Sequence, residues 1–286
     1  MYLVLALAAA GAFGAADFLG GLASRRAPVV GVVLLSQAVG LVFLAGIAPI
    51  LDPMPAPAAL GFGALAGLAY GGGILLLYRA LAIGRMSVVA PITGVLAIAL
   101  PVGFGLLTDE QPGPAAFAGI ALAALSIGLI SREAPAAGAS PASTAAPPGL
   151  ARRAVVIALG AGVGMGLFFI SLGQTGAADG LWPLLAARVV STGGFAVVGF
   201  VSAGSVRLPR EVRVLALAGG VLDLLANLFY LWSVRQGLIS LAATLTSLYP
   251  AATVLLAALV LRERIRGIQA VGLLCAFAAV WLITAR

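Results

Sequence analysis

Apolar runs close to twenty residues long alternate along the chain with short breaks that carry Arg, Asp, Glu or Pro. A helix needs ~20 residues to cross hydrocarbon, and backbone inside lipid must satisfy its own hydrogen bonds. The pattern predicts an all-α integral membrane bundle. Its ten transmembrane helices fall at about 2–22, 28–50, 57–78, 86–107, 114–131, 153–174, 181–202, 213–234, 238–260 and 267–284. The first run has no basic segment before it and a counterpart later, so it reads as a span rather than a signal peptide.

One stretch breaks this rhythm. Arg132 to Arg153 is Ala/Pro-rich and too polar to cross, with the composition of a flexible linker. It divides the chain into a first five-helix repeat (1–131), a linker (132–152) and a second repeat (153–286). At an offset of 153 residues Gly84 matches Gly237, Ser87 matches Ser240, Thr93 matches Thr246, Glu110 matches Glu263 and Gly119 matches Gly272. An odd number of spans per half makes the two repeats inverted, so matched loops should differ in charge. They do: Arg25 and Arg26 stand against Asp179, and Asp52 against Arg207, Arg210, Glu211 and Arg213. Loops 1, 3, 5, 7 and 9 hold thirteen of the sixteen Arg. Positive charge collects on the cytoplasmic side, which places both termini outside. Inverted repeats are characteristic of secondary transporters.

Composition fits this reading and removes alternatives. The chain is 62% hydrophobic and 9% charged, with mean hydropathy +1.17, whereas soluble domains are about a quarter charged. There is no Lys and no His. A Walker-type phosphate loop, a Schiff-base lysine, a His-based triad and an imidazole metal site are therefore excluded. The lone Cys275 lies in the last apolar run and reads as a structural thiol. The net charge of +7 comes from Arg clustered between spans, which fits anchoring at an anionic leaflet rather than nucleic acid. Neither a cofactor nor a metal is expected.

The last two spans hold Tyr249-Pro250 followed by AATVLLAALVLRERIRGIQAVGLL, with Glu263, Gln269 and Gly272, and the first half offers Ala90-Pro91, Glu110 and Gly119. These residues resemble the repeat of the drug/metabolite transporter superfamily, specifically its EamA-like ten-helix family. The likeness extends over nearly the whole chain except the linker. The family usually has Gly before the repeat's Glu, where this sequence has Asp109 and Arg262. The resemblance implies export of amino acids or related metabolites and leaves the substrate unnamed.

Ionisable groups inside spans are costly, about 2.5–3.5 kcal/mol each at mid-membrane, and so are candidates for function. Asp17 lies late in the first helix, about a turn from the cytoplasmic end, and could either snorkel or act. Arg188 lies well inside the seventh and needs an anionic partner, either a carboxylate or substrate. Asp223, Asn227 and Tyr230 are spaced i, i+4, i+7 on the eighth, which gathers them on one face. That face lines a cavity or bonds a neighbouring helix. The position matching Asp223 is Tyr70, so the stripe is not symmetric. Gln37, Thr93, Thr246 and Tyr249 are further candidates for substrate binding, with Phe168 and Trp182 as apolar walls. Glu110 and Glu263 read as caps of the helices that follow them. The glycines of helices 3 and 6 read as close-packing faces.

The expected function is a secondary carrier for a small organic metabolite, an amino acid or related compound. It would sit in the plasma membrane and work by alternating access, as an exporter. Coupling to protons through Asp17 or Asp223, and uniport, both stay open. A non-transport membrane subunit and a membrane-embedded enzyme are the alternatives, the latter disfavoured because no His, Lys or reactive Cys could serve catalysis.

Overall fold

The structure, a computed structural model, describes residues 1–24, 26–83, 86–130, 148–201, 208–260 and 267–284. Among them eleven α-helices run in chain order: α1 (Tyr2–Ser24), α2 (Val29–Leu51), α3 (Pro57–Ile83), α4 (Met86–Leu107), α5 (Pro114–Ile130), α6 (Pro148–Gly173), α7 (Trp182–Val201), α8 (Arg210–Val234), α9 (Ile239–Thr246), α10 (Tyr249–Val260) and α11 (Gly267–Thr284). A short 3-10 turn, Ala177–Asp179, precedes α7. Eight helical segments are long and apolar enough to cross a membrane, joined by shorter apolar stretches at Ile92–Leu107 and Pro114–Ile130. Large apolar side chains such as Val4, Phe43, Leu68, Leu125, Leu274, Phe277 and Trp281 are exposed on the outside of the bundle. Lipid solvates such a surface and water would not. The chain is a multi-pass membrane protein.

Two boundaries differ from the expected ones. The ninth run, read as one helix over 238–260, is broken at Ser247-Leu248 into α9 and α10. Pro250 lacks the N–H that would reach the carbonyl of Thr246, and its ring crowds that carbonyl. The helix accordingly ends at Thr246 and restarts at Tyr249. The linker is also shorter than expected at its far end, because α6 begins at Pro148. Proline is suited to the first position of a helix, where its missing N–H is not needed. The rest of the linker lies outside the described residues, as do Gly84, Glu263 and its flanking Arg262, Arg264 and Arg266.

The helices pair mainly between the two halves of the chain. In one set α3 packs on α6 and α7, and α4 on α6; in the other α8 packs on α1 and α2, and α9 and α10 on α1. Between them α2 meets α7, α5 meets α11, and α4 meets α9. Neighbours within one half, such as α1 with α2 or α3 with α4, touch little. Neither half therefore buries its own faces.

Small residues set the closest approaches. A Cβ on Gly63 or Gly67 would run into the backbone of Pro183 or Ala187 on α7. A Cβ on Gly119 would meet Ile283, and one on Gly272 would meet Ile130. Ser and Thr then bond across the contacts. Thr93 donates to the Ala158 carbonyl at 3.3 Å, and Thr246 lies 3.5 Å from the Ala6 carbonyl. Ser126 donates to the Gly272 carbonyl at 2.8 Å.

Candidate functional site

Three helices meet at one buried ion pair. Arg188 of α7 donates through Nη2 to Asp223 Oδ2 of α8 at 2.5 Å. Tyr70 of α3 donates its hydroxyl to the other carboxylate oxygen at 3.2 Å. Arg188 and Asp223 are only 4% and 7% exposed. The long Arg side chain lies across α2 at Gly40, where a Cβ would stand 3.0 Å from its Nε. Absence of that Cβ lets the guanidinium reach α8. An isolated charge at this depth would be prohibitive, so each partner makes the other tenable.

The ion pair and Tyr70 separate two cavities. On one side a cleft is lined by Asp17, Gln37, Ser36, Tyr70, Ile74 and Asp223. It reaches toward the end of the bundle where α1 finishes and α2 begins, with Gly20 and Val32 in its wall. Asp17 is exposed there. On the other side a smaller pocket is lined by Gly67, Tyr70, Phe168, Leu184, Arg188 and Asn227. Tyr70 belongs to both.

Beyond the small pocket the bundle is tied shut by bonds between the two halves and within the second. The Asp52 carboxylate accepts the backbone N–H of Leu181 at 2.9 Å, and Trp182 donates its indole N–H to the Asp52 carbonyl at 3.2 Å. Gly180, in the left-handed region at φ 53°, sits against that carboxylate where a Cβ would collide. Arg235 donates to the Gly180 carbonyl at 3.0 Å and to Thr175 Oγ1 at 3.1 Å. Burial lowers the Arg235 guanidinium from its usual value, opposed by the carboxylates of Asp179 and Asp52. At the same end the Glu110 carboxylate accepts the backbone N–H of Ile239 and, at 3.0 Å, that of Ser240. Ser233 donates to the Tyr2 carbonyl at 2.7 Å.

Several residues expected at a site are placed elsewhere. Tyr230 shares a face with Asp223, yet its hydroxyl bonds the Phe169 carbonyl at 2.7 Å and it is fully buried in the core. Asn227 lines the small pocket while its Nδ2 bonds the Asp223 backbone carbonyl at 2.7 Å, one turn back on the same helix. Thr93 and Thr246 are spent on helix contacts, and Tyr249 packs edge-on to Phe13 at 6.4 Å. Phe168 is a pocket wall as expected, but Trp182 belongs to the end closure instead. Glu110 caps α9 in the other half, not the helix α5 that follows it. Gly40, Asp52, Gly180 and Arg235 were not singled out from the sequence. Asp52 and Arg235 could have been flagged as charges in the loops between spans, but nothing local marks Gly40.

Residues 152–285 match the family model of the EamA-like transporter family. The second half of this chain is an EamA-like transporter domain. A solved crystal structure shares the fold, with a TM-score of 0.76 over 99% of this chain and 96% of that chain at 17% identity. No curated protein matches the chain. For the matched second half, a transporter family implies a small-molecule substrate and a lipid bilayer as partners. Its α7–α8 ion pair lies inside the matched region, while Tyr70, Asp17 and Gln37 come from the first half.

Proposed function

We propose that this EamA-like protein is a secondary transporter of the cell membrane that exports a small organic metabolite, an amino acid or related compound, by alternating access. In this reading ten spans form two inverted five-helix repeats. The carrying observation is that its two cavities are built from matched positions. At offsets of 151 to 153 residues Tyr70, Phe168, Leu184, Ala187, Arg188 and Asn227 of the small pocket correspond to Asp223, Ala16, Val33, Ser36, Gln37 and Ile74 of the cleft. Exchange of the halves also carries the Gly119–Ile283 contact onto Gly272–Ile130, and the α3–α6 pairing onto α8–α1.

A molecule assembled this way has two conformations of similar make-up, one with each cavity open. The conformation described here has the α1–α2 side open and the opposite end tied by Asp52, Arg235 and Glu110. Arg26 pairs with Glu211 beside Arg210 and Arg213 on the α1–α2 side, so the positive-inside rule makes the open cleft cytoplasmic and the termini extracytoplasmic. A cytosolic solute loads into the cleft, and the end ties break as the cleft closes. Tyr70, Arg188 and Asp223 stay between the two cavities throughout.

Counterflow in proteoliposomes tests the reading. Vesicles preloaded with an unlabelled metabolite panel, pooled and then split, should accumulate the labelled counterpart of at least one compound, and protein-free vesicles should not. Absence of counterflow for every amino acid and related amine or acid in the panel, with folded and inserted protein, would sink the carrier assignment.

A further inference from the structure

The cleft contains two acceptors that have no donor. Asp17 is exposed in it, and among the described residues its carboxylate makes no ion pair and no hydrogen bond. Gln37 is 3% exposed, and its Oε1 has no partner. The remaining carboxylate, Asp223, is already taken by Arg188 and Tyr70. Among the described residues that line the cleft there is no Arg. Arg188 lines the other cavity. Among the described residues one carboxylate in the cleft wall is thus uncompensated, inside a span where an unpaired acid is costly unless something meets it.

We propose that the cleft recognises its substrate through a protonated amine, with the ammonium group donating to the Asp17 carboxylate and to Gln37 Oε1. An ammonium has three donors and no acceptor, which complements two acceptors that lack a donor. The Asp17 contact is charge-assisted and supplies most of the selectivity; the Gln37 contact is neutral and orients the group. Among the described residues the cleft wall offers an anionic substrate no cation, and the Asp223 carboxylate already occupies the Arg188 guanidinium. Substrates are therefore organic cations, or zwitterions held by their amino end. The assignment takes the cleft as the substrate site of the carrier reading, and its test does not require transport.

The test measures saturable ligand-induced thermal stabilisation of the purified full chain in lipid nanodiscs. The probes are isopentylamine, isopentanol and isovalerate, which share a hydrocarbon body and differ in the head group. Isopentylamine should stabilise the protein, while the other two should not. Asp17→Asn should weaken the amine at least about tenfold, Gln37→Leu by roughly threefold, and Asp17→Glu should retain binding. Equal stabilisation by isopentanol, preference for isovalerate, no saturable response to the amine, or amine binding undiminished in a folded Asp17→Asn protein would each overturn the proposal. If Asp17→Asn does not fold, the preference of the wild type and of Asp17→Glu among the three probes decides. Amine binding without counterflow would leave cation recognition standing and remove the carrier.

Discussion

Replacement of Asp223 by Asn tests the ion pair directly. The substitution keeps the shape of the side chain and an oxygen that Tyr70 can still reach from its 3.2 Å position. It removes the charge that Arg188, 4% exposed, requires. Breaking one partner of a buried pair costs about 3–5 kcal/mol, because the remaining charge stays desolvated. The surviving neutral bond returns about 1 kcal/mol. A net loss of about 3 kcal/mol follows, which is roughly a hundredfold in the unfolding equilibrium. Arg188→Gln should lose a similar amount, since it leaves the Asp223 carboxylate facing Tyr70 alone. The double variant, with two neutral amides in hydrogen-bond reach, should recover most of it. The assay is a double-mutant cycle by reversible denaturation in mixed micelles, followed by tryptophan fluorescence. A coupling energy of at least about 2 kcal/mol is expected. Single variants within about 0.5 kcal/mol of wild type, or strictly additive losses, would refute the claim that each charge depends on the other.

Other consequences can be checked as simply. Glu110→Gln removes the negative charge at the start of α9 and should lower stability by about 1 kcal/mol in the same denaturation assay. Gly67→Ala, whose Cβ would stand 2.8 Å from Ala187 Cα, should cost about 2 kcal/mol, whereas Gly194→Ala, with nothing within 4 Å, should be neutral or stabilising. Asp52→Ala releases the Leu181 N–H and loosens the closed end, so a Leu184→Cys probe in a Cys275→Ala background should react faster with a membrane-impermeant maleimide. A reporter fused after Arg286 should score as extracytoplasmic in a topology assay.

Much of the fold is legible in the order of residues. Hydropathy along a chain in lipid is a local property, because each helix satisfies its own backbone and its length is set by the bilayer. The apolar runs therefore mark the helices of the bundle to within a few residues, apart from the longer α3 and the earlier start of α6. Pro250 would have indicated the break in the ninth run had its effect on the Thr246 carbonyl been weighed. The costly residues Asp17, Arg188 and Asp223 also stand out in sequence, because charge inside an apolar run is conspicuous. What the sequence did not determine is which partner each one finds. Helices in lipid have no hydrophobic drive to choose among neighbours, and their association is selected by close packing of small residues and by hydrogen bonds between distant positions. Only the tertiary structure joins Arg188 to Asp223 past Gly40, sends the Tyr230 hydroxyl to the Phe169 carbonyl, and turns Glu110 onto α9. The same long-range choices leave Asp17 and Gln37 facing one cleft without a donor, since which side chains remain unmatched is settled only after all the helices have packed.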